Sequence, residues 1–261
     1  MRSSPPGWVT DLAILEHTGS LVEHHPDHLV VRTPANPDFH WGNFLLVTQE
    51  AVVDDADRWV TAFRAAFPAA TWLAIGLPRL PGEPDRWLAH GVELELEDVL
   101  STRSLPPGTP LPEGYTVRRL TGPDWEQDLS RTVAENERTG EEEASSFLRF
   151  AQGQLQARQD LSARDLGAWF GAFAADQLVA DLGIVRCGAT ARYQDVVTDT
   201  GHRGRGLASH LIGVAARWAA DGGCDGWVIV TGATNPAGRV YRSLGFAPDT
   251  AAVQAYRRPA R

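Results

Sequence analysis

Gly201-His-Arg-Gly-Arg-Gly-Leu-Ala208 packs three glycines and two arginines into eight residues. It lies between a strand-like run, Tyr193 to Thr198, and an amphipathic run from Leu207 to Ala220. A glycine-rich turn that opens a helix stacks backbone N–H groups at a positive dipole end, and such a turn can bind a phosphate or pyrophosphate. The plainer alternative is a flexible turn before a helix, since short glycine motifs recur widely. A second group, His40 and Trp41 in Pro37-Asp-Phe-His-Trp-Gly-Asn43, sets aromatic, imidazole and amide groups at a strand entrance. These can line a pocket, or the aromatics can simply pack a core. Glu23-His-His-Pro-Asp-His28 carries ligand-type side chains but no helical histidine pair, so it reads as a polar turn and not as a metal site.

Composition narrows the chemistry. All 24 basic residues are arginine, which excludes a Schiff-base lysine and a phosphate loop with its lysine. A formal charge of −9 opposes nonspecific nucleic-acid binding and suits a cationic substrate such as an amine. Cys187 and Cys224 are too few and too far apart for a zinc site or a disulfide framework. No run of about eighteen apolar residues suggests a membrane span, and Met1 to Gly7 lacks an apolar signal core. A cytoplasmic location is expected.

The elements that must position these residues follow from periodicity. In the first half, His28–Thr33, Trp41–Val47, Thr71–Ile75 and Val92–Glu97 read as strands. Asp54-Asp55 opens a helix with Trp59, Val60, Phe63 and Phe67 on one face, and Asp85–His90 is a short helix stopped by Gly91. Ser104–Gly114, with four prolines and two glycines, reads as a linker. In the second half, Tyr115–Leu120 is a strand and Thr121–Asp124 caps a helix reaching about Asn136. Glu135–Glu143 is expected as an acidic loop, and a second helix spans Ala144 to about Ala163. Ala168–Phe173, Leu178–Val185 and Ala189–Thr198 form an antiparallel meander. The glycine turn and its helix come next, then the strand Gly226–Thr231. A helix capped by Asn235 with Pro236 at its first position follows, and Val253–Arg257 closes the sheet.

This order, together with Arg203-Gly-Arg-Gly-Leu-Ala208, resembles the GNAT superfamily of acyl-CoA-dependent N-acyltransferases. The motif Arg/Gln-x-x-Gly-x-Gly/Ala is represented by Arg203, Gly206 and Ala208, and Asn235…Val240-Tyr241-Arg-Ser-Leu-Gly245-Phe246 is similar to the family's second motif. The resemblance covers residues 115 to 257. It implies an α+β fold with a mixed, mostly antiparallel sheet flanked by helices. The first half echoes the later part of the pattern: Trp72 matches Trp227, and Arg86–Val92 matches Val240–Phe246. Its counterpart of the glycine turn, Val47–Asp55, is acidic and glycine-free. The expected organisation is therefore a degenerate GNAT-like domain at 1–104, a linker at 105–114 and a catalytic GNAT domain at 115–261.

The resemblance also implies roles. Acetyl-CoA would lie between two splayed strands, bound by Val196, Val197 and Thr198 on one and by Thr231 on the other. Arg203, Gly204, Arg205, Gly206, Leu207 and Ala208 would cradle its pyrophosphate, with Asn235 and Tyr241 completing the donor site. A strand N–H near Val197 would stabilise the oxyanion, and Tyr241 would protonate the thiolate. Asp195 or Glu137 would take the amine proton. Glu137, with His40, Trp41 and Asn43, would frame a small amine or amino-acid-like acceptor. No metal, nucleic acid or membrane is called for. Two other readings keep the fold: a longer acyl donor or a peptide N-terminus as acceptor, and a non-catalytic acyl-CoA sensor.

Overall fold

The computed structural model describes residues 6–259. Met1 to Pro5, part of the stretch read for a signal core, lie outside them. Among the described residues the chain forms a mixed α+β structure of seven α-helices and eleven strands, and no helix is long and apolar enough to cross a membrane. It divides into two compact units.

The first unit takes the chain up to Val99, together with Val230–Asn235 and the residues from Asp249 onward. Its elements begin with α1 (Pro6–His17), β1 (Leu21–His24), β2 (His28–Arg32) and β3 (Phe44–Val47). They continue with α2 (Ala56–Ala66), β4 (Leu73–Leu77), α3 (Pro84–Leu88) and the start of β5 (Glu93–Thr102). β1, β2 and β3 pair antiparallel, and β3 runs parallel to β4 through Leu45↔Ile75 and Leu46↔Gly76. α2 forms as its pattern dictates: Asp55 accepts the N–H of Arg58, and Ala56, Trp59, Val60 and Phe63 are buried on one face. α1 and β1 were not expected. Apolar residues in Pro6–His17 are not confined to one stripe, so the helix depends on tertiary contacts such as Trp8 stacked on Phe44 at 5.7 Å.

The second unit comprises Leu100–Ile229 and Pro236–Pro248. It contains β6 (Tyr115–Arg119), α4 (Asp124–Thr139), α5 (Ala144–Ala163), β7 (Gly167–Ala174), β8 (Gln177–Cys187) and β9 (Thr190–Thr198). These are followed by α6 (Leu207–Asp221), the first part of β10 (Gly226–Gly232) and α7 (Ala237–Ser243). The strands lie in the order β6-β7-β8-β9-β10, antiparallel except that β10 is parallel to β9. α6 buries Leu207, Leu211, Ile212, Ala215, Ala216 and Ala219 in one core with Ala180, Leu182, Ile184 and Tyr193. α4 and α5 pack together and against β8 and β7 respectively.

Three expectations change here. The acidic segment is mostly helix: α4 runs through Glu135 and Glu137 to Thr139 and stops at Gly140, whose φ is 62°. Buried Asn136 bridges the turn by donating to Glu142 O and accepting from Glu142 N, while Glu143 caps α5 by accepting from Ser145 N and Ser146 N. The proline-rich segment is not a free linker. Thr109 O accepts from His210 Nδ1 at 2.6 Å, and a Cβ on Gly213 would come within 2.8 Å of Pro107 O and Gly108 Cα, so glycine is required for this close approach to α6. Finally β11 (Ala247–Arg257) pairs antiparallel with β4, Val253↔Leu77 to Arg257↔Leu73. The last strand from Asp249 thus belongs to the first unit, whose order is β1-β2-β3-β4-β11, and the boundary does not fall simply at residues 105–114.

Candidate functional site

β9 carries the first element of the site. Its register against β8 passes from Gln194↔Gly183 to Val197↔Asp181, so Asp195 and Val196 together oppose Leu182. This is a β-bulge, and Asp195 adopts φ 45° at the position that glycine takes in one common bulge type. A non-glycine residue there costs about 1–2 kcal/mol unless something offsets it. Alongside, the parallel ladder of β10 with β9 ends at Val228↔Arg192, although both strands continue, to Gly232 and Thr198. Asp199 N donates to Val179 O at 2.9 Å, so alternation turns the N–H of Thr198 to the opposite edge of β9, where no ladder partner is present. By the same alternation Val197 directs its N–H toward β8, which moves the expected open N–H by one residue. The Val197 side chain is 45% exposed, unusual for valine within a sheet.

The glycine turn follows directly. Gly204 and Gly206 have φ 73° and 83°, and a Cβ at either would meet nothing within 4 Å. Only glycine adopts these angles readily. Gly206 stands at the N-cap of α6 with no side-chain cap, so the first N–H groups of a 15-residue helix, from Leu207 and Ala208, have no intrahelical partner. Arg203 Nε donates to Thr198 O at 3.0 Å, and Arg205 Nη2 donates to Gly201 O at 3.4 Å, which folds both guanidiniums around the turn. His202 Nδ1 lies 2.8 Å from the Tyr115 hydroxyl and ties the turn to β6. Unpaired N–H groups at a helix start, its dipole and two arginines on an exposed turn are the groups a pyrophosphate would need.

Tyr241 lies on α7, 5% exposed, within the same core as Leu207 and Tyr193. Burial pushes its phenol up to about 12, so it is a neutral proton donor across the physiological range. Asp195 is half-exposed, and its Oδ2 accepts from Arg158 Nη2 at 2.7 Å. Glu137 is exposed on the last turn of α4.

Sequence reasoning missed a charged network beside the bulge. Arg158 on α5 also donates to Asp128 of α4 at 2.9 Å, and Arg131 of α4 donates to Asp181 of β8 at 2.5 Å and to Asp199 at 2.8 Å. Two guanidiniums therefore serve four carboxylates. Burial, with the like charge of Asp128, raises Asp181 to about 7, against the pull of Arg131 and Arg158. The signal in the sequence was slight: one aspartate inside the otherwise apolar run Leu178–Val185.

The remaining candidates lie in the first unit. His40 and Trp41 form a 3-10 turn, and β3 begins only at Phe44. His40 Nδ1 is 2.6 Å from the Tyr256 hydroxyl and its ring stacks on Trp72 at 4.3 Å; burial lowers its pKa to about 4. Trp41 packs against Trp8, Phe44 and Tyr256. Asn43 is buried, donating to Asn36 O and Phe39 O and accepting from Thr33 N, so its amide is committed to holding this turn. Thr231 is buried near the end of β10. Asn235 donates its backbone N–H to Gly232 O, and Pro236 rather than Asn235 occupies the cap of α7.

Residues 125–246 match the model of the acetyltransferase (GNAT) family. No curated protein sequence matches the chain. Among solved structures, a GCN5-related N-acetyltransferase from Kribbella flavida superposes with a TM-score of 0.68 at 16% identity, over 97% of this chain and 96% of the other. A GNAT-family protein from Novosphingobium aromaticivorans gives 0.56 at 18% identity, over 97% and 96% of the two chains. A tandem GNAT protein from the clavulanic acid biosynthesis pathway gives 0.54 at 17% identity, over 100% and 91%. At these identities the likeness is one of fold, and it extends across both units.

Proposed function

Because its residues 125–246 belong to the acetyltransferase (GNAT) family, we propose that the protein is an N-acetyltransferase that moves the acetyl group of acetyl-CoA to a primary amine of a small-molecule or amino-acid-like acceptor. The observation that carries this reading is the bulged β9 leading straight into an uncapped α6 through Gly204 and Gly206. Acetyl-CoA supplies an acyl group activated as a thioester. The N–H groups of Gly204 to Ala208 hold its pyrophosphate, and Arg203 and Arg205 add charge. The open edge of β9 from Val196 to Thr198 binds the amide-bearing arm, and the exposed Val197 side chain covers its apolar parts. The N–H of Thr198 donates to the charge that develops on the carbonyl oxygen.

Tyr241 donates a hydrogen bond to the departing sulfur, and its raised pKa makes this stabilisation more important than early proton transfer. The second oxygen of Asp195 faces the amine as proton acceptor. Glu137 is the proposed acceptor contact, while His40, Trp41 and Asn43 are engaged within the first unit. The net charge of −9 favours a cationic acceptor.

Thiol release on mixing the protein and acetyl-CoA with a panel of amines tests this reading. Turnover with a primary amine is the expected result. Tight binding of acetyl-CoA without release on any amine would favour a sensor, and release only with longer acyl donors or peptide N-termini would reassign the substrates.

A further inference from the structure

Asp195 occupies a backbone conformation suited to glycine, and it does so at the bulge that separates β9 from a regular ladder. Its side chain is not left to solvent. Arg158 reaches it from the C-terminal half of α5, with a side chain only 18% exposed, and is itself anchored on Asp128, whose side chain is 6% exposed. The line Asp128–Arg158–Asp195 therefore runs from α4 through α5 to the bulge. We propose that Arg158 is a positioning residue for the donor site: by tethering Asp195 to Asp128 it holds the left-handed residue on which the bulge depends. The inference rests on the reading that acetyl-CoA binds along the open edge of β9.

The physical reason lies in register. A strand with one residue in excess is kept in place only while that residue stays out of the ladder. Should Asp195 relax to extended angles, the residues after it would slip by one against β8, and side chains from Val196 to Thr198 would exchange faces. The exposed Val197 would turn from the face it shares with Asp181 to the face of α6, and the N–H of Thr198 would be taken up by β8. The other charges facing Arg158 are Asp181 on β8 and, through Arg131 on α4, Asp199. None of these touches Asp195, so the tether acts through a single guanidinium.

Substitutions at Asp195 separate a tether from a proton acceptor. Asp195→Ala keeps the left-handed penalty without the tether, whereas Asp195→Gly removes the need for one. Calorimetry should find acetyl-CoA affinity about tenfold weaker in the alanine variant, the size of one left-handed penalty, and within about twofold of wild type in the glycine variant. Arg158→Gln should weaken affinity like alanine, and adding Asp195→Gly to it should restore binding. Equal affinities for the alanine and glycine variants, or no restoration in the double variant, would overturn the proposal. Hydrogen exchange without ligand supplies a readout independent of the donor: in Asp195→Ala and Arg158→Gln the amide of Val197, directed at β8 in wild type, should exchange faster, and that of Thr198 more slowly. If wild type binds no acetyl-CoA, the donor reading fails and exchange alone decides, with unchanged exchange in both variants removing the tether.

Discussion

Each unit joins two parallel strands through a helix, β3–α2–β4 in the first and β9–α6–β10 in the second, and the junctions differ in every detail that concerns an anion. In the second unit the chain leaves β9 through a bulge and enters α6 over two left-handed glycines, with the first N–H groups of the helix uncapped. In the first unit β3 leaves in unbroken register with β2, from Val31↔Phe44 to His28↔Val47. There Asp55 caps α2, and Asp54 accepts from Arg79, Gly82 N and Glu83 N. The indoles of Trp59 and Trp87 close the junction by donating to Val52 O and Val53 O. One frame thus satisfies its helix start with its own carboxylates, and the other leaves it open. The shared topology does not by itself leave a helix start open to an anion; a bulge and two glycines do.

Carrying the acid of the first junction into the second should have the largest effect. Gly206→Glu is expected to weaken acetyl-CoA binding by more than about a hundredfold, since it adds backbone strain and a like charge at the phosphate position. Near-normal affinity by calorimetry would erase the contrast between the junctions. The next test pairs Tyr241 with Trp87, the residues that the internal echo aligns. Tyr241→Phe should lower turnover by about a hundredfold or more while leaving acetyl-CoA affinity unchanged. Trp87→Ala should cost about 3–5 kcal/mol of stability, because the indole is fully buried, and should leave donor affinity of the folded protein intact. A loss of affinity in Trp87→Ala would give the first unit a part in donor binding.

The smallest effect is one of pH, and the units should respond with opposite sign. His40 is held near 4 by burial, so the unfolded chain takes the proton first. Its contribution is full above about pH 6.5 and is lost as pH falls toward 4. Asp181 is raised to about 7, so its folded form holds the proton more tightly. That contribution is full below about pH 3.8 and is lost as pH rises to 7. Between pH 5 and 7, hydrogen exchange corrected for intrinsic rate should show rising protection around His40 and falling protection around Asp181. Asp181→Asn should abolish the second trend; the same sign in both units would refute the opposition.

Much of this organisation was legible. The meander, the helix Ala144–Ala163 and the turn before α6 follow from alternation, helical spacing and glycine placement, each a local signal. The acidic segment Glu135–Glu143 misled because its helix has no apolar stripe and is held by Asn136 and by Arg138 on Glu135. Asp181 was obscured by its apolar surroundings, since a charge inside a buried strand makes sense only with Arg131 beside it.

The turn at Gly201–Ala208, the tyrosine at 241 and the acids that close the first junction are set by residue type alone, because glycine angles, helix dipoles and carboxylate charge act over a few neighbouring residues. Which strand would complete each sheet, and what would hold the bulge, were decided only in three dimensions. β11 pairs with β4 from more than 170 positions away in the chain, and Arg158 meets Asp195 across 37 residues. Contacts at such separations leave no periodicity to read, since they arise from which surfaces the folded units bury and not from the order of residues along them.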